Sequence, residues 1–508
     1  MTVDLLNQSL LVGAVVVLVA VAAVRFSLSS GLPSLLLYLG LGVVLGEAGP
    51  LGIKFDNQEL TQVLGFSALA LILAEGGLTT RWTTVRHALA PASVLATVGV
   101  LVSVLVVGAA AHLLLDLPWT VAMLVGAVLS STDAAAVFSV LRRVPIHPRL
   151  AGVLEAESGL NDAPVVLLVV VLSEQATSHG AHHTWYELVA LGVFELAAGA
   201  AIGLAIGWLG AQGLRRLALP SSALTSLAVL ALTITAYALG ANLHASGFLA
   251  VYVAGLVLGN AEMPHRAAVR GFAEAVGWLA QIGLFVLLGL LASPSDLRDQ
   301  LWPALALGAV LLLLARPLSV LVSLTPFRMP WRQQAFLSWA GLRGAVPVVL
   351  ATVPVTTGVP GVEWLFDLVF VLVVVFTLVQ GPTLPFMARK LGVEHTMDSR
   401  DLAVESAPLD ELGAEILQVR IGQDSRLHGL EVFELRLPRG ANIALVVREG
   451  ESFVPGDRTV LRRGDQLLVV ATQKVRRDTQ RRLRALSMGG RLALWGKRAE
   501  RQPGRRLP

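Results

Sequence analysis

Glu155, Glu157, Ser158, Asn161 and Asp162, in the run E-A-E-S-G-L-N-D, put three acids, a hydroxyl and an amide inside an apolar stretch from about Ala151 to Leu172. At about 100° per residue, Glu155, Ser158 and Asp162 share one arc of a helix, with Glu157 and Asn161 beside them. Ala156, Gly159, Leu160 and Ala163 take the other half of the circumference. Small residues permit close helix packing, and ionisable groups inside a membrane helix are costly enough to be functional by default. A merely structural hydrogen-bonding helix is the plainer reading, but it leaves the acids without a purpose. Burial penalises a charged carboxylate, so an acid in a low-dielectric cavity can hold either a proton or a metal cation. Competition for one such group couples two fluxes. Asp162 is the residue expected to do this, with Ser158 one turn away as a neutral oxygen ligand.

Other buried charges extend the constellation. In L-S-S-T-D-A-A-A, Thr132 offers a hydroxyl or a freed carbonyl, and Asp133 a carboxylate that acts directly or through water. Hydroxyl side chains there can bond to backbone and tolerate a local break. Glu75, in L-I-L-A-E-G-G-L, is a further ligand or an entrance residue, with a snorkelling interfacial acid as the competing reading. Arg343, in W-A-G-L-R-G-A-V-P, is a guanidinium in a segment weakened by two glycines and Pro347. It needs a counter-charge: Glu157 is the expected partner, and Glu155 competes for it. Arg316, followed by Pro317, is expected to hold a helix end or cap carbonyls. Asn161 is neutral beside Asp162, so one proton per cation is the simpler stoichiometry. His179, His182 and His183, like Asn242 and His244, read as solvated outward loops.

These residues need a membrane to hold them. The chain is 55% hydrophobic and 15% charged over 508 residues. A soluble protein carries about 25% charged residues, so this is an integral membrane protein. It has no cysteine, which excludes disulfides and thiolate metal sites. Spans of about 20 apolar residues give about thirteen segments: 9–25, 30–47, 60–79, 88–115, 119–141, 150–173, 186–211, 222–239, 244–260, 271–292, 301–324, 332–355 and 364–388. Asp4 and the lack of a basic flank make the first a membrane helix rather than a signal peptide. With the N-terminus outside, the inward loops and helix ends hold fourteen basic residues, from Arg25 to Lys390, and the outward loops only Lys54 and Arg298. That asymmetry supports the count and places the C-terminus in the cytoplasm. The blocks 88–173 and 301–388 are nearly equal in length, each with an interrupted middle helix, and an odd number of spans inverts one relative to the other.

Beyond Lys390 the chain turns polar. The expected domains are a transmembrane domain 1–390, a linker 391–411, a small α/β domain 412–473 and a basic, disordered tail 474–508. The tail's arginines also suit an anionic lipid leaflet. Within the small domain, Glu415–Ile421, Ile443–Arg448 and Asp465–Ala471 read as strands, and Gly429–Leu435 as a short helix. No G-x-G-x-x-G precedes it, so no dinucleotide-binding fold is expected. Nucleic acid is not needed to explain the positive charge.

The motifs E-S-G-L-N-D, S-S-T-D and G-L-R-G-A, in this order, resemble the sodium/proton exchanger branch of the monovalent cation/proton antiporters over about residues 5–390. The resemblance implies an all-α polytopic fold with two crossed interrupted helices and a homodimer in the cell inner membrane. It further implies elevator-like alternation of a six-helix core. It makes Asp162 the proton/cation carboxylate, with Ser158, Thr132, Asp133 and Glu75 as ligands of K+ or Na+, and Asn161 as the mark of electroneutral exchange. Glu157 and Arg343 become a structural ion pair. Gly159 departs from the family, which often places a bulkier apolar residue there. The run V-V-R-E-G-E-S-F-V-P-G-D-R-T-V-L-R-R-G-D-Q-L-L-V-V resembles the RCK C-terminal (TrkA-C) module. That implies regulation by a small ligand, a nucleotide being one candidate, and tilts the substrate towards potassium. No enzyme cofactor is expected. Two other readings fit less well: a cation channel gated by the C-terminal domain lacks a T-V-G-Y-G-like filter, and an aspartyl hydrolase using Asp133 and Asp162 gives Arg343 and Glu157 no job.

Overall fold

In a computed structural model the described residues are 3–30, 33–47, 49, 52–133, 146–177, 185–217, 219–263, 265–394, 404–409, 414–423, 425–472 and 474–490. The chain forms two compact units, Met1–His395 and Thr396–Pro508.

The first unit is helical. Its elements are α1 (Val3–Ser30), α2 (Ser34–Leu45), α3 (Gln58–Thr79), α4 (Leu89–Leu115), α5 (Trp119–Ser130), α6 (Pro148–Ala176), α7 (Trp185–Leu217), α8 (Ser222–Asn242), α9 (Gly247–Asn260), α10 (Arg266–Leu291), α11 (Leu301–Phe327), α12 (Trp331–Trp339), α13 (Ala345–Thr356) and α14 (Trp364–Leu391). Nine helices among the described residues are long and apolar enough to cross a membrane, and α2, α5, α9 and α13 are shorter apolar helices. Local chemistry sets several ends. Asn57 Oδ1 accepts the Leu60 amide at 2.8 Å to start α3, Pro118 and Pro330 precede α5 and α12, and Gly392 at φ +64° ends α14. The short helices are where simple counting by length fails. α5 stops at Ser130 because Ser131 turns to extended backbone.

The helices group by contact. α3 packs on α9 and α10, α2 on α10, and α7 and α8 on α9. In the other group α4 packs on α5, α5 on α6, and α11 on both α4 and α14. This second group contains two three-helix blocks on one plan: a first helix with a π-helical turn, a short middle helix that gives way to non-helical backbone, and a long third helix. The π turns are Leu95–Gly99 in α4 and Leu311–Ala315 in α11. Each packs against the other helix, and the Ser319 hydroxyl of α11, just beyond its own π turn, donates to the Gly99 carbonyl at 2.8 Å. A π turn inserts one residue and frees backbone groups, and such turns concentrate at functional sites.

The second unit contains an antiparallel sheet in the order β1-β2-β5-β3-β4. Its strands are β1 (Val404–Leu409), β2 (Ala414–Arg420), β3 (Ala441–Arg448), β4 (Glu451–Phe453) and β5 (Gln466–Thr472). Alternation along the strands buries Leu417 and Val419 in β2 and Leu467, Val469 and Ala471 in β5, and an irregularity between Ile443 and Leu445 lets β3 bury both Ile443 and Val446. Glu449 and Gly450, both at positive φ, make the tight turn between β3 and β4. Three details differ from the sequence reading. Strand β1 lies inside the expected linker and pairs with β2. Helix α15 (Arg476–Gly489) lies inside the expected disordered tail, because Thr479, Leu483, Leu486 and Ser487 form a buried face beneath its arginines. The expected helix over Gly429–Leu435 is only a 3-10 turn, Val432–Leu435, closed by a reciprocal Glu431/Glu434 capping box. The tail beyond Gly490 lies outside the described residues.

Candidate functional site

The two broken helices supply one wall. After Ser130, residues 131–133 run extended, and the rest of the expected span to 141 lies outside the described residues. α12 ends at Trp339, and Ala340–Gly344 are non-helical before α13 begins. The breaks meet backbone to backbone, the Asp133 amide donating to the Leu342 carbonyl at 3.0 Å. Broken helices leave terminal carbonyls without partners. Arg343 fills that role, donating from Nε to Leu129 O at 3.1 Å and from Nη1 to Gly341 O at 2.6 Å. Thr377 and Gln380 of α14 donate to the Arg343 and Trp339 carbonyls at 3.2 and 2.9 Å. Gly344 faces the Asp133 carboxylate so closely that a Cβ would collide with Asp133 Oδ2.

Helix α6 supplies the other wall, and its polar stripe faces the breaks. The Ser131 hydroxyl donates to Asp162 Oδ1 at 2.9 Å. Ser158 Oγ donates to the Thr132 carbonyl at 2.8 Å. Asn161 Nδ2 donates to Thr132 Oγ1 at 2.6 Å, and that hydroxyl donates in turn to Glu157 Oε1 at 3.4 Å. Asp162 is 5% exposed and Asn161 1%. A cavity of ≈ 540 Å³ reaches this wall, lined by Asp162, Ser158, Asp133, Glu75 and Glu155, with Tyr252 and Trp278 opposite. Glu75 of α3 lies against Gly277 of α10, in the first helix group.

The structure therefore brings Asp162, Ser158, Asp133 and Glu75 to one cavity. Thr132 and Asn161, also expected as ligands, are not among the residues lining the cavity; they are buried and bonded to each other. Asp162, Asp133, Ser158 and Glu75 line it with oxygen-bearing side chains, the donor type that a hard monovalent cation prefers.

The expected Glu157–Arg343 pair is corrected. Glu157 instead binds Arg316 in a two-pronged bridge, Nη1 to Oε1 at 2.6 Å and Nη2 to Oε2 at 2.8 Å, with both side chains at or below 5% exposure. The π turn Leu311–Ala315 ends just before Arg316 and shifts its facing by a residue, a rotation that 3.6-residue periodicity cannot foresee. Arg316 thus holds α11 against α6, while Arg343 caps carbonyls, the role expected of Arg316. Glu155 meets neither arginine in this way; it accepts a hydrogen bond from the Thr80 hydroxyl at the end of α3. Gly159 leaves room for the Tyr252 ring, since a Cβ would lie 2.6 Å from its nearest atom. Sequence reasoning missed Ser131, although it stood in the S-S-T-D run, and Tyr252, which carried no signal of its own. His179, His182 and His183 lie outside the described residues.

Comparison with known proteins agrees with the geometry. Residues 13–390 match the family described as sodium/hydrogen exchanger, transmembrane, and residues 416–484 match the TrkA-C domain. The chain is 38% identical over 473 residues to a K(+)/H(+) antiporter NhaP of Alkalimonas amylolytica, covering 92% of this chain and 82% of that one. It is 38% identical over 483 residues to a K(+)/H(+) antiporter NhaP2 of Shewanella oneidensis, covering 93% and 83%. Its fold is similar to the sodium proton antiporter MjNhaP1 from Methanocaldococcus jannaschii, with a TM-score of 0.67 at 21% identity, covering 76% of this chain and 99% of that one. The chain belongs to the sodium/hydrogen exchanger family and carries a C-terminal TrkA-C domain.

Proposed function

We propose that the protein exchanges a monovalent cation for a proton across the cell membrane, the two competing for the Asp162 carboxylate. The observation that carries this reading is a buried acid, 5% exposed, that lines a cavity yet is bonded on one oxygen by the Ser131 hydroxyl. Such an acid is neutral when protonated and needs a counter-ion when it is not, so it is occupied by one or the other. Ser158, Asp133 and Glu75 complete the cation's oxygen shell, and Thr132 and Asn161 keep the wall in place. Potassium is the favoured cation, since the relatives at 38% identity are named K(+)/H(+) antiporters. One proton per cation makes the exchange electroneutral. The helix group of α4–α6 and α11–α14 moves as a body against the rest of a homodimer, carrying the occupied acid from side to side. The N-terminus is outside, the C-terminus is cytoplasmic, and the TrkA-C domain regulates the exchange.

Proteoliposomes loaded with a pH-sensitive dye test this reading. External K+ should drive proton movement without a membrane potential, and lowering the pH should raise the apparent KM for K+ while leaving the maximal rate unchanged. Current without proton movement would identify a channel and refute exchange.

A further inference from the structure

In the C-terminal unit a cleft of ≈ 330 Å³ opens where the strand ends gather. It is lined by Arg420 at the end of β2, Arg448 and Glu449 at the β3–β4 turn, and Arg462, Arg463 and Asp465 on the loop before β5. Four arginines around one cleft repel each other unless something neutralises them. One is already committed. Arg448 binds Asp465 through Nε and Nη2, both at 2.8 Å, and Nη2 also donates to the Val460 carbonyl at 2.9 Å. Asp465 accepts the Arg462 amide as well, at 2.8 Å. Burial alone would raise the Asp465 carboxyl, but these bonds and the two nearby guanidinium charges hold it below the usual carboxylate range. Both its oxygens are taken up by hydrogen bonds, so it forms a fixed floor that offers the other guanidinium groups its charge but no direct bond.

The guanidinium groups of Arg420, Arg462 and Arg463 make no hydrogen bond or salt bridge to any described residue, and all three are exposed at the cleft. Among the described residues lining the cleft, Glu449 is the single acid that is not already paired. Three uncommitted guanidinium groups against one carboxylate leave a surplus of two positive charges in a concave site. Planar guanidinium forks match the tetrahedral oxygens of phosphate two at a time, and the volume falls in the lower range for small-molecule sites.

We propose that this cleft binds a phosphate-bearing dianion, held by Arg420, Arg462 and Arg463 above the Arg448–Asp465 floor. The phosphate comes from a soluble diphosphate-type metabolite or from a lipid headgroup. This gives the regulatory reading of the TrkA-C domain a site and a ligand class; binding is measured separately from transport, so failure of one does not imply failure of the other.

The test is titration of the purified full-length protein with inorganic pyrophosphate and, separately, with water-soluble dihexanoyl phosphatidic acid, by calorimetry. Replacing both Arg462→Gln and Arg463→Gln should weaken binding by about tenfold or more, whereas Glu449→Gln should tighten it. Heat unfolding of the unliganded variants, which leave the Arg448–Asp465 bridge intact, controls for folding. Variant-sensitive binding of pyrophosphate identifies a soluble ligand, and variant-sensitive binding of the lipid alone identifies the headgroup. Binding of neither probe, or binding indifferent to all three substitutions, overturns the proposal.

Discussion

At the residue scale the site rests on a division of labour between two buried arginines. Arg316 neutralises Glu157 with two parallel bonds, and Arg343 satisfies carbonyls that the helix breaks expose. Gly341 sits between them, since a Cβ there would touch both guanidinium groups. Removing one member of a buried ion pair costs about 3–5 kcal/mol, because the survivor keeps its desolvation penalty. Arg316→Ala should therefore lower stability by about that amount, and Arg316→Lys should recover only part of it, as an ammonium cannot grip both oxygens. Thermal unfolding in detergent checks this; a variant as stable as the parent would show that the bridge is dispensable. That Glu157 needs a cation was legible from its apolar setting. Which arginine supplies it was not, because Arg343 stood in a visibly broken motif and Arg316 in an apolar run whose π turn is invisible to periodicity.

At the scale of elements, the meeting of the extended stretch 131–133 with the break at 340–344 positions the chemistry. The break at 340–344 was legible from Gly341, Gly344 and Pro347. The one at 131–133 was harder to see, since serine and threonine occur within helices as well as at their ends. The polar arc of α6 was legible because an acid within an apolar helix has few harmless explanations. Its opposite wall was not, because Tyr252 and Trp278 look like ordinary core residues until the helices are packed. Close approach at this meeting depends on Gly344, where any Cβ collides with Asp133. Gly344→Ala should displace that carboxylate and slow exchange by about tenfold or more while the protein stays folded, given how steeply activity falls with misplacement of about an ångström. Measuring exchange rate beside the unfolding midpoint separates the two effects. An unchanged rate would remove Asp133 from the cation's path.

At the scale of the whole molecule, a helical unit that fits the exchanger family is joined to a sheet-containing unit that fits the TrkA-C domain. The shift from apolar to polar text at Lys390 made that division legible. β1 and α15 were obscured because one lies in a polar stretch without strand alternation and the other hides two leucines among arginines. If the second unit is regulatory, deleting residues 400–508 should leave exchange running but move its dependence on pH; complete loss of exchange in a folded protein would refute the regulatory role. Every step of the proposed exchange passes through Asp162. The most direct measurement is proton release driven by K+ in proteoliposomes carrying Asp162→Asn, with folding verified by size-exclusion and heat unfolding. The variant is predicted to be as well folded as the parent and to exchange nothing at any pH, since an amide can neither release a proton nor neutralise a cation. Exchange that persists in that variant would contradict the central claim.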